Sequence, residues 1–231
     1  MIPLRDTTTT PGIPFVNITL IALCILVFLY EYSLGTRVNA FIDAYGLIPA
    51  KVFAPGFSAG ERIYPFFSSM FLHGGWLHLI GNMLFLYIFG DNVEGRMGHM
   101  RYLAFYLVCG FAAAAMQCVT NVHSAVPMVG ASGAISGVLG AYITLFPKSR
   151  ILTLVPIFFF IQLIHIPAAV FIFIWFIIQF LSGVSSLGRA ADIGGVAFWA
   201  HIGGFVAGLI LVRFFVKGGL RVVGGDRRFY H

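Results

Sequence analysis

The chain has 231 residues, 59% of them hydrophobic and only 10% charged, and its mean hydropathy is +0.94. Soluble globular domains carry about 25% charged residues, so the composition excludes that class and predicts a membrane protein with several spans. The formal net charge of +6 does not indicate nucleic-acid binding, because excess Lys and Arg in a membrane protein usually mark its cytoplasmic side. We therefore expect the lipid bilayer, and no nucleic acid, among its partners.

The apolar runs predict an all-α membrane protein, a bundle of six transmembrane helices in a single domain over residues 1–231. Residues 1–14 are polar and predict a flexible cytoplasmic lead-in, and residues 217–231 predict a basic cytoplasmic tail. The spans are predicted at residues 15–32, 68–89, 102–119, 132–146, 167–181 and 198–216.

The connections between the spans differ in character. Residues 34–65 mix prolines and glycines with apolar side chains, which predicts an irregular segment partly embedded at the membrane interface. Residues 90–101 predict a charged loop, and residues 151–166 a re-entrant or interfacial piece. The glycine-rich residues 182–196 predict a flexible loop that, with the fifth span, is a candidate for a moving cover.

The basic residues are distributed unequally between the two sides of the membrane. With six spans both termini share a side, and ten of the fourteen Lys and Arg residues fall on it. The positive-inside rule then predicts a multi-pass protein of the cell (inner or plasma) membrane with both termini in the cytoplasm. Ser132, His201 and His78 would all lie in the outer half of the membrane.

The fourth predicted span carries small residues along one face. Gly133, Gly137 and Gly140 share a helical face because they are three or four residues apart, and such a face lets another helix approach closely in a bilayer. Ser132 lies at the entry to this face. The span is also shorter than the about 20 residues that cross a bilayer, so we expect its outer end to stop below the membrane surface beside a cavity.

The sixth predicted span carries a matching face. Gly204 and Gly208 follow His201 by three and seven residues, which gives the histidine's own face a GxxxG pair. If the two small faces meet, Ser132 and His201 come together. Serine needs a base within hydrogen-bonding reach to act as a nucleophile, and a neutral imidazole is suited to that role. Activity would then rise with pH through about 6–7.

The second predicted span adds hydrogen-bond donors. His78 and Asn82 are four residues apart and project from one helical face. Together with the backbone N–H of Ser132 near a helix N-terminus, they could stabilise the oxyanion of a tetrahedral intermediate. His73 is expected nearer the surface, in a supporting role, and Gly130 belongs to the turn before the serine.

Each of these residues also has a structural interpretation. Ser132 could be a small packing residue, and His78 and Asn82 could join helices by hydrogen bonds worth about 0.6 kcal/mol each on average. The joint occurrence of a nucleophile, a base and paired donors at one depth favours the functional interpretation. The histidines that have no candidate nucleophile or donor near them in this pattern are assigned structural roles: His99, His123, His165 and His231.

Acidic residues are given no catalytic role. Asp192 could orient His201 as a third member, but it falls in the predicted flexible loop, so a dyad is favoured. Asp91 and Glu94 are expected to form a solvated, loop-ordering cluster on the opposite side. The sequence contains no HExxH motif and no pair of intramembrane aspartates, and we expect no metal and no cofactor.

Several motifs occur in order along the chain: residues 73–82 (HGGWLHLIGN), residues 130–133 (GASG) and residues 200–208 (AHIGGFVAG), with residues 45–51 (YGLIPAK) before them. Together they resemble the rhomboid family of intramembrane serine proteases, and the resemblance extends from residue 2 to residue 216. The chain is similar to the bacterial-type, six-span form of that family.

The resemblance implies that Ser132 is the nucleophile, His201 the base, and His78 and Asn82 the oxyanion ligands. It also implies substrates that are single-pass transmembrane proteins, cut near the outer membrane face where their helix is easily unwound. Many members carry an aromatic residue four positions after the serine, stacked on the histidine. Here that position is Ser136, so support for the His201 ring must come from elsewhere, or the ring is looser.

The resulting hypothesis is an intramembrane serine endopeptidase that acts through a Ser-His dyad and an acyl-enzyme. The alternative is a catalytically inactive rhomboid-like adaptor or chaperone that binds transmembrane helices. A small-solute transporter or channel, with buried histidines along its pathway, ranks below both because no internal repeat is visible in the sequence.

Overall fold

The computed structural model of the chain describes residues 1–8, 12–157, 160–186 and 197–218. The architecture is mostly helical, as predicted, with one small sheet that the sequence did not predict. The α-helices are α1 Phe15–Ser33, α2 Val38–Tyr45, α3 Pro49–Phe53, α4 Ala59–Ile63, α5 Pro65–Ser68, α6 Trp76–Phe85, α7 Asp91–Met97, α8 His99–Thr120, α9 Ser132–Leu145, α10 Ala168–Ser186 and α11 Phe198–Phe215. Short 3₁₀ turns cover Gly35–Arg37 and Ser69–Phe71, and a π-helical turn covers Leu86–Gly90.

Four of the described helices are long and apolar enough to cross a membrane, namely α1, α8, α10 and α11. A fifth candidate is a broken pair, Ala59–Phe71 followed by Trp76–Met97, which is bent by 81°. Helix α9 has 14 residues and at 1.5 Å per residue spans about 21 Å, less than the ~30 Å hydrocarbon core. Four or five crossing candidates thus lie among the described residues, so the predicted count of six spans is not confirmed. The helix at the fourth predicted span is short, as expected.

Helix α9 lies at the centre of the bundle and packs against α8 and α11. Every residue from 133 to 142 is buried. A helix that is buried on all sides can be apolar all round, which agrees with the near absence of polar side chains in this stretch. Ser132 therefore stands at the end of a helix that other helices surround.

The predicted second span differs most from a straight helix. After the 81° bend, α6 continues through the π-helical turn into α7, so most of the predicted charged loop at residues 90–101 is helical. Gly98 separates α7 from α8 with a φ of +80°, a backbone conformation that glycine adopts without strain. The predicted irregular segment at residues 34–65 is likewise a series of short helices.

Glu94 is not part of a solvated cluster with Asp91, because it is only 1% exposed. Its carboxylate accepts hydrogen bonds from the backbone N–H groups of Val16 and Asn17, at 2.9 and 2.7 Å. These groups belong to the first turn of α1, where helical N–H groups lack intrahelical partners. His99 Nδ1 lies 2.5 Å from the same carboxylate, so the structural role predicted for His99 is confirmed.

A three-stranded antiparallel sheet joins two segments that are distant in the sequence. Strand β1 (Ile2–Asp6) pairs with β2 (Arg150–Ile157), and β2 pairs with β3 (Phe160–Pro167). In this register Ile2 faces Leu154. The prediction of a flexible lead-in is therefore wrong for the strand residues, and the predicted re-entrant or interfacial piece is regular β-structure.

Asp6 fastens the end of β1 to the helical bundle. The hydroxyl of Tyr142 on α9 donates a hydrogen bond to the Asp6 carboxylate, and the side-chain amide of Asn92 donates another at 2.9 Å. Burial raises the pKa of Asp6 to about 7, the nearby charge of Asp91 adds to the rise, and the Tyr142 hydrogen bond opposes it. A carboxyl group with such a pKa changes its charge close to neutral pH.

Some predictions lie partly or wholly outside the described residues. The predicted loop at residues 182–196 begins as helix, because α10 continues to Ser186, and its remainder from residue 187, including Asp192, is outside them. So are residues 219–231 of the predicted basic tail, with His231. His123 and His165, for which structural roles were predicted, are exposed.

Candidate active site

Helices α9 and α11 approach each other through their glycines. A methyl group built on Gly204 would lie 2.0 Å from the carbonyl oxygen of Gly133. Gly208 makes the same kind of approach to Gly137 one turn further along. Such distances leave no room for any side chain, so glycine at these positions permits the contact between the two backbones. The predicted meeting of the two small faces is confirmed.

This close contact brings Ser132 and His201 together. Ser132 is the first residue of α9, and His201 lies in the first turn of α11. His201 Nε2 is 2.8 Å from Ser132 Oγ, within hydrogen-bonding distance. The imidazole is 9% exposed and the serine is half-buried. A serine hydroxyl that donates to a neutral imidazole is the arrangement that nucleophilic catalysis requires.

His78 and Asn82 on α6 direct donors toward the backbone just before the serine. The N–H of Gly74 donates to His78 Nδ1 at 3.4 Å, which leaves the proton of the neutral ring on Nε2. A methyl group built on Gly130 would lie 2.7 Å from that Nε2 and 3.5 Å from Asn82 Nδ2. Asn82 Nδ2 is buried and has no hydrogen-bond partner among the described residues. Both side chains can therefore donate to a ligand atom beside Ser132.

Gly130 fixes the backbone at this point. Its φ is +125°, in the region that favours glycine, and its N–H donates to the carbonyl oxygen of Ser69 at 2.8 Å. A side chain here would be strained and would also meet the His78 ring. The predicted turn before the serine therefore requires glycine.

His73 is buried inside the protein. Its Nδ1–H donates to the carbonyl oxygen of Phe71 at 3.2 Å, and its backbone N–H donates to the Glu31 carboxylate at 3.2 Å. Its ring centroid lies 5.2 Å from that of His78. His73 thus packs against His78, in keeping with a supporting position.

A cavity of about 610 Å³ adjoins the two functional groups. Residues lining it include Ser132, His201, His78, Asn82 and Gly130. The cavity expected beside the end of the short fourth span is present, and it brings the predicted nucleophile, base and donors into one space. Among the described residues there is no group of three or more His, Cys, Asp or Glu side chains that could hold a metal ion.

Two residues of α10 contact the histidine and were not predicted from the sequence. Gln179 Oε1 lies 2.7 Å from His201 Nδ1, and the Trp175 ring centroid lies 5.9 Å from that of His201. Ser136 instead donates its hydroxyl to the carbonyl oxygen of Ser132 at 2.6 Å. The available signal was Gln179 itself, the single amide side chain in an apolar span, because polar groups inside membranes seek partners.

The Rhomboid domain family model matches residues 60–218, more than half of the chain, and includes every residue of the cavity named above. The chain belongs to the rhomboid family. Together with its apolar helices, this membership makes it a multi-pass membrane protein.

Rhomboid relatives come from bacteria, protists and plants. The chain is 31% identical over 201 residues to the rhomboid protease GluP of Bacillus subtilis, covering 87% of this chain and 35% of that protein. It is 32% identical over 143 residues to rhomboid-like protease 5 of Toxoplasma gondii (61% and 15%). It is 40% identical over 85 residues to RHOMBOID-like protein 5 of Arabidopsis thaliana (37% and 27%). The chain thus spans about a third or less of these relatives' lengths.

Proposed function

We propose that this rhomboid protein is an intramembrane serine endopeptidase that cleaves single-pass transmembrane proteins near the outer membrane face. Rhomboid membrane proteins act on transmembrane substrates within the bilayer, and the family includes serine proteases as well as inactive members. The observation that carries the proposal is the 2.8 Å hydrogen-bonding distance between Ser132 Oγ and His201 Nε2 at the edge of a cavity.

The reaction begins with attack by Ser132 Oγ on the carbonyl carbon of the scissile peptide. The hydroxyl proton passes to His201 Nε2, and the carbonyl oxygen becomes an oxyanion. His201 then gives its proton to the departing amine as the C–N bond breaks, leaving an acyl-enzyme. Water attacks the ester, its proton passes to His201, and the C–Oγ bond breaks as the proton returns to Ser132.

His78 and Asn82 are the proposed donors to the oxyanion, together with the backbone N–H of Ser132. The unpartnered Asn82 amide supports this assignment, because a buried donor without a partner among the described residues is available to a charge that develops during the reaction. The Nε2 proton of His78 supports it from the same helical face. His73 and the glycines Gly130, Gly133, Gly204 and Gly208 hold these groups in place.

The proposed location is the cell membrane, inner or plasma, with both termini in the cytoplasm. The excess of basic residues on the side of the termini supports this orientation. The substrate's peptide bond then reaches the dyad from the outer half of the bilayer, and water reaches it through the cavity.

The test is cleavage of a model single-pass substrate by the purified full chain in detergent, with labelling by a fluorophosphonate. Wild type should cleave the substrate and carry the label on Ser132, whereas Ser132→Ala and His201→Ala should do neither. Ser185→Ala is the matched control, because this serine lines the same cavity and its hydroxyl bonds to its own helix at Ser182. It should cleave as wild type does.

Two outcomes would contradict the proposal. Cleavage by Ser132→Ala at the normal rate would remove the assigned nucleophile. A wild-type protein that binds the substrate but neither cleaves it nor takes the label would instead be the inactive helix-binding adaptor.

A further inference from the structure

The imidazole of His201 has two nitrogens, and the structure gives each a different partner. Nε2 faces Ser132 Oγ at 2.8 Å, and Nδ1 faces Gln179 Oε1 at 2.7 Å. Gln179 lies on α10, a helix of the bundle separate from those of the serine and the histidine. The ring is therefore held between two helices through both of its polar atoms.

The chemistry of imidazole makes the second contact consequential. A neutral ring carries one N–H donor and one bare acceptor nitrogen, and Ser132 is activated only when the bare nitrogen is Nε2. The proton must then reside on Nδ1, where it needs an acceptor. The amide oxygen of Gln179 accepts it, which stabilises the tautomer that leaves Nε2 bare.

Helix α10 also supplies the aromatic contact. Trp175 lies one helical turn before Gln179, so both project from one face of α10. Its ring centroid is 5.9 Å from that of His201. Position 136, four residues after Ser132, holds a serine instead of an aromatic residue. The hydroxyl of Ser136 donates to the backbone of α9 and does not contact the His201 ring in the way an aromatic side chain would. The support that α9 does not give to the histidine thus comes from α10.

We infer that Gln179 is a positioning residue for catalysis, which fixes the tautomer and the ring plane of His201 through the Nδ1–H···Oε1 bond. The inference rests on the proposed function, since it assigns His201 as the base. An amide oxygen cannot take the proton from Nδ1 as a carboxylate could. Gln179 therefore orients the ring but does not neutralise the positive charge that His201 gains when it accepts the serine proton. It touches no reacting atom itself.

The inference predicts a loss in kcat with little change in KM. Gln179→Met keeps the length of the side chain and removes the acceptor. Its kcat should fall by about 10- to 100-fold, by analogy with the losses that follow removal of the hydrogen-bond partner of a metal-ligating histidine, while KM stays within about twofold. Gln179→Glu retains an oxygen acceptor at the same place and should keep at least tenfold more activity than Gln179→Met.

The matched control is Ile178→Met, which introduces the same side chain at the neighbouring, exposed position of α10. It should leave kcat within about twofold of wild type. Rates are expressed per active site, titrated by exhaustive fluorophosphonate labelling, so that a variant that folds poorly does not pass as a slow enzyme.

The tautomer of His201 separates a positioning role from a merely structural one, because a purely structural role of Gln179 would leave the tautomer unchanged. In the full chain with ¹⁵N-labelled histidine, NMR distinguishes a protonated from a bare ring nitrogen, and the His201 signals are identified by their loss in His201→Ala. Wild type and Gln179→Glu should show Nδ1–H only, and Gln179→Met a mixture of both tautomers. An unchanged tautomer in Gln179→Met, or a kcat within about twofold of wild type, overturns the inference.

Failure of the proposed function and failure of the positioning role can be distinguished. A wild-type protein without cleavage and without labelling would refute the proposed function, yet the tautomer measurement would still decide whether Gln179 sets the proton of His201. An active wild type with an unperturbed Gln179→Met would refute only the positioning role.

Discussion

A methyl group built on Gly208 of α11 would lie 2.0 Å from the carbonyl oxygen of Gly137 on α9. The two backbones touch at this point, below the level where Ser132 and His201 meet. The separation of the two helices therefore decides whether the hydroxyl and the imidazole are within hydrogen-bonding reach.

Replacing Gly208 should separate the helices and damage both stability and activity. Gly208→Ala places its methyl group on the backbone of α9, which cannot yield as a flexible side chain would, and overpacking of this kind costs about 1–3 kcal/mol. We expect a lower thermal unfolding midpoint in detergent and reduced cleavage of a model substrate. Gly81→Ala is the control for stability, because a methyl group there meets nothing within 4 Å. Equal midpoints for the two variants would show that the helix contact is not tight.

The donors on α6 should act on kcat. His78→Ala and Asn82→Ala each remove one donor beside Gly130, and loss of one oxyanion donor typically lowers kcat by about 10²–10³. Steady-state kinetics with a model transmembrane substrate measure the effect. Asn121→Ala is the matched control, since this asparagine also lines the cavity but its amide bonds within its own helix end, to Thr120 at 2.9 Å. A loss as large in Asn121→Ala would mean that any asparagine of the cavity matters equally.

Asp6 should make stability depend on pH. Because burial raises its pKa from 3.8 to about 7, the folded state holds a proton that the unfolded state releases. The contribution of this group to stability is complete below about pH 4 and is lost as the pH rises through 7. Asp6→Asn keeps an oxygen that can accept from Tyr142 and Asn92 and never ionises. Its unfolding midpoint relative to wild type should therefore increase between pH 4 and 7 and then level off.

The control for this pH dependence is Asp43→Asn, at an exposed aspartate. The midpoint of that variant should follow the wild-type curve across the same range. A constant difference between Asp6→Asn and wild type from pH 4 to 8 would show that Asp6 does not titrate there.

Glu94 should be a major determinant of stability. Glu94→Ala leaves two N–H groups at the start of α1 without their acceptor, and each buried donor left unsatisfied costs about 1–3 kcal/mol. Glu94→Gln retains one acceptor oxygen and should lose less. Thermal unfolding in detergent measures both. Glu61→Ala is the comparison, because that glutamate is exposed and its loss removes only its half of the capping box with Ser58. A drop no larger for Glu94→Ala than for Glu61→Ala would contradict this assignment.

The sequence alone determined the apolar helices and the contact between two of them. Long apolar runs fix helices in a bilayer, and glycines three or four residues apart fix the face on which another helix can pack. Both patterns are local in the sequence, and the second is formed here by Gly133, Gly137, Gly204 and Gly208. Ser132 and His201 stand at the ends of those faces, which is why their approach could be predicted without coordinates.

The tertiary structure alone decided what joins distant segments. The pairing of β1 with β2 links residues about 150 positions apart. The residue pattern of neither strand indicates which strand it pairs with. From the sequence, Glu94 is predicted to be a charged loop residue. Only the packing of α1 shows that its carboxylate accepts hydrogen bonds from the first N–H groups of that helix. Gln179 is a single amide in an apolar run until α10 packs beside His201. Burial and hydrogen-bond partners depend on which elements meet in space, and a local pattern does not contain that information.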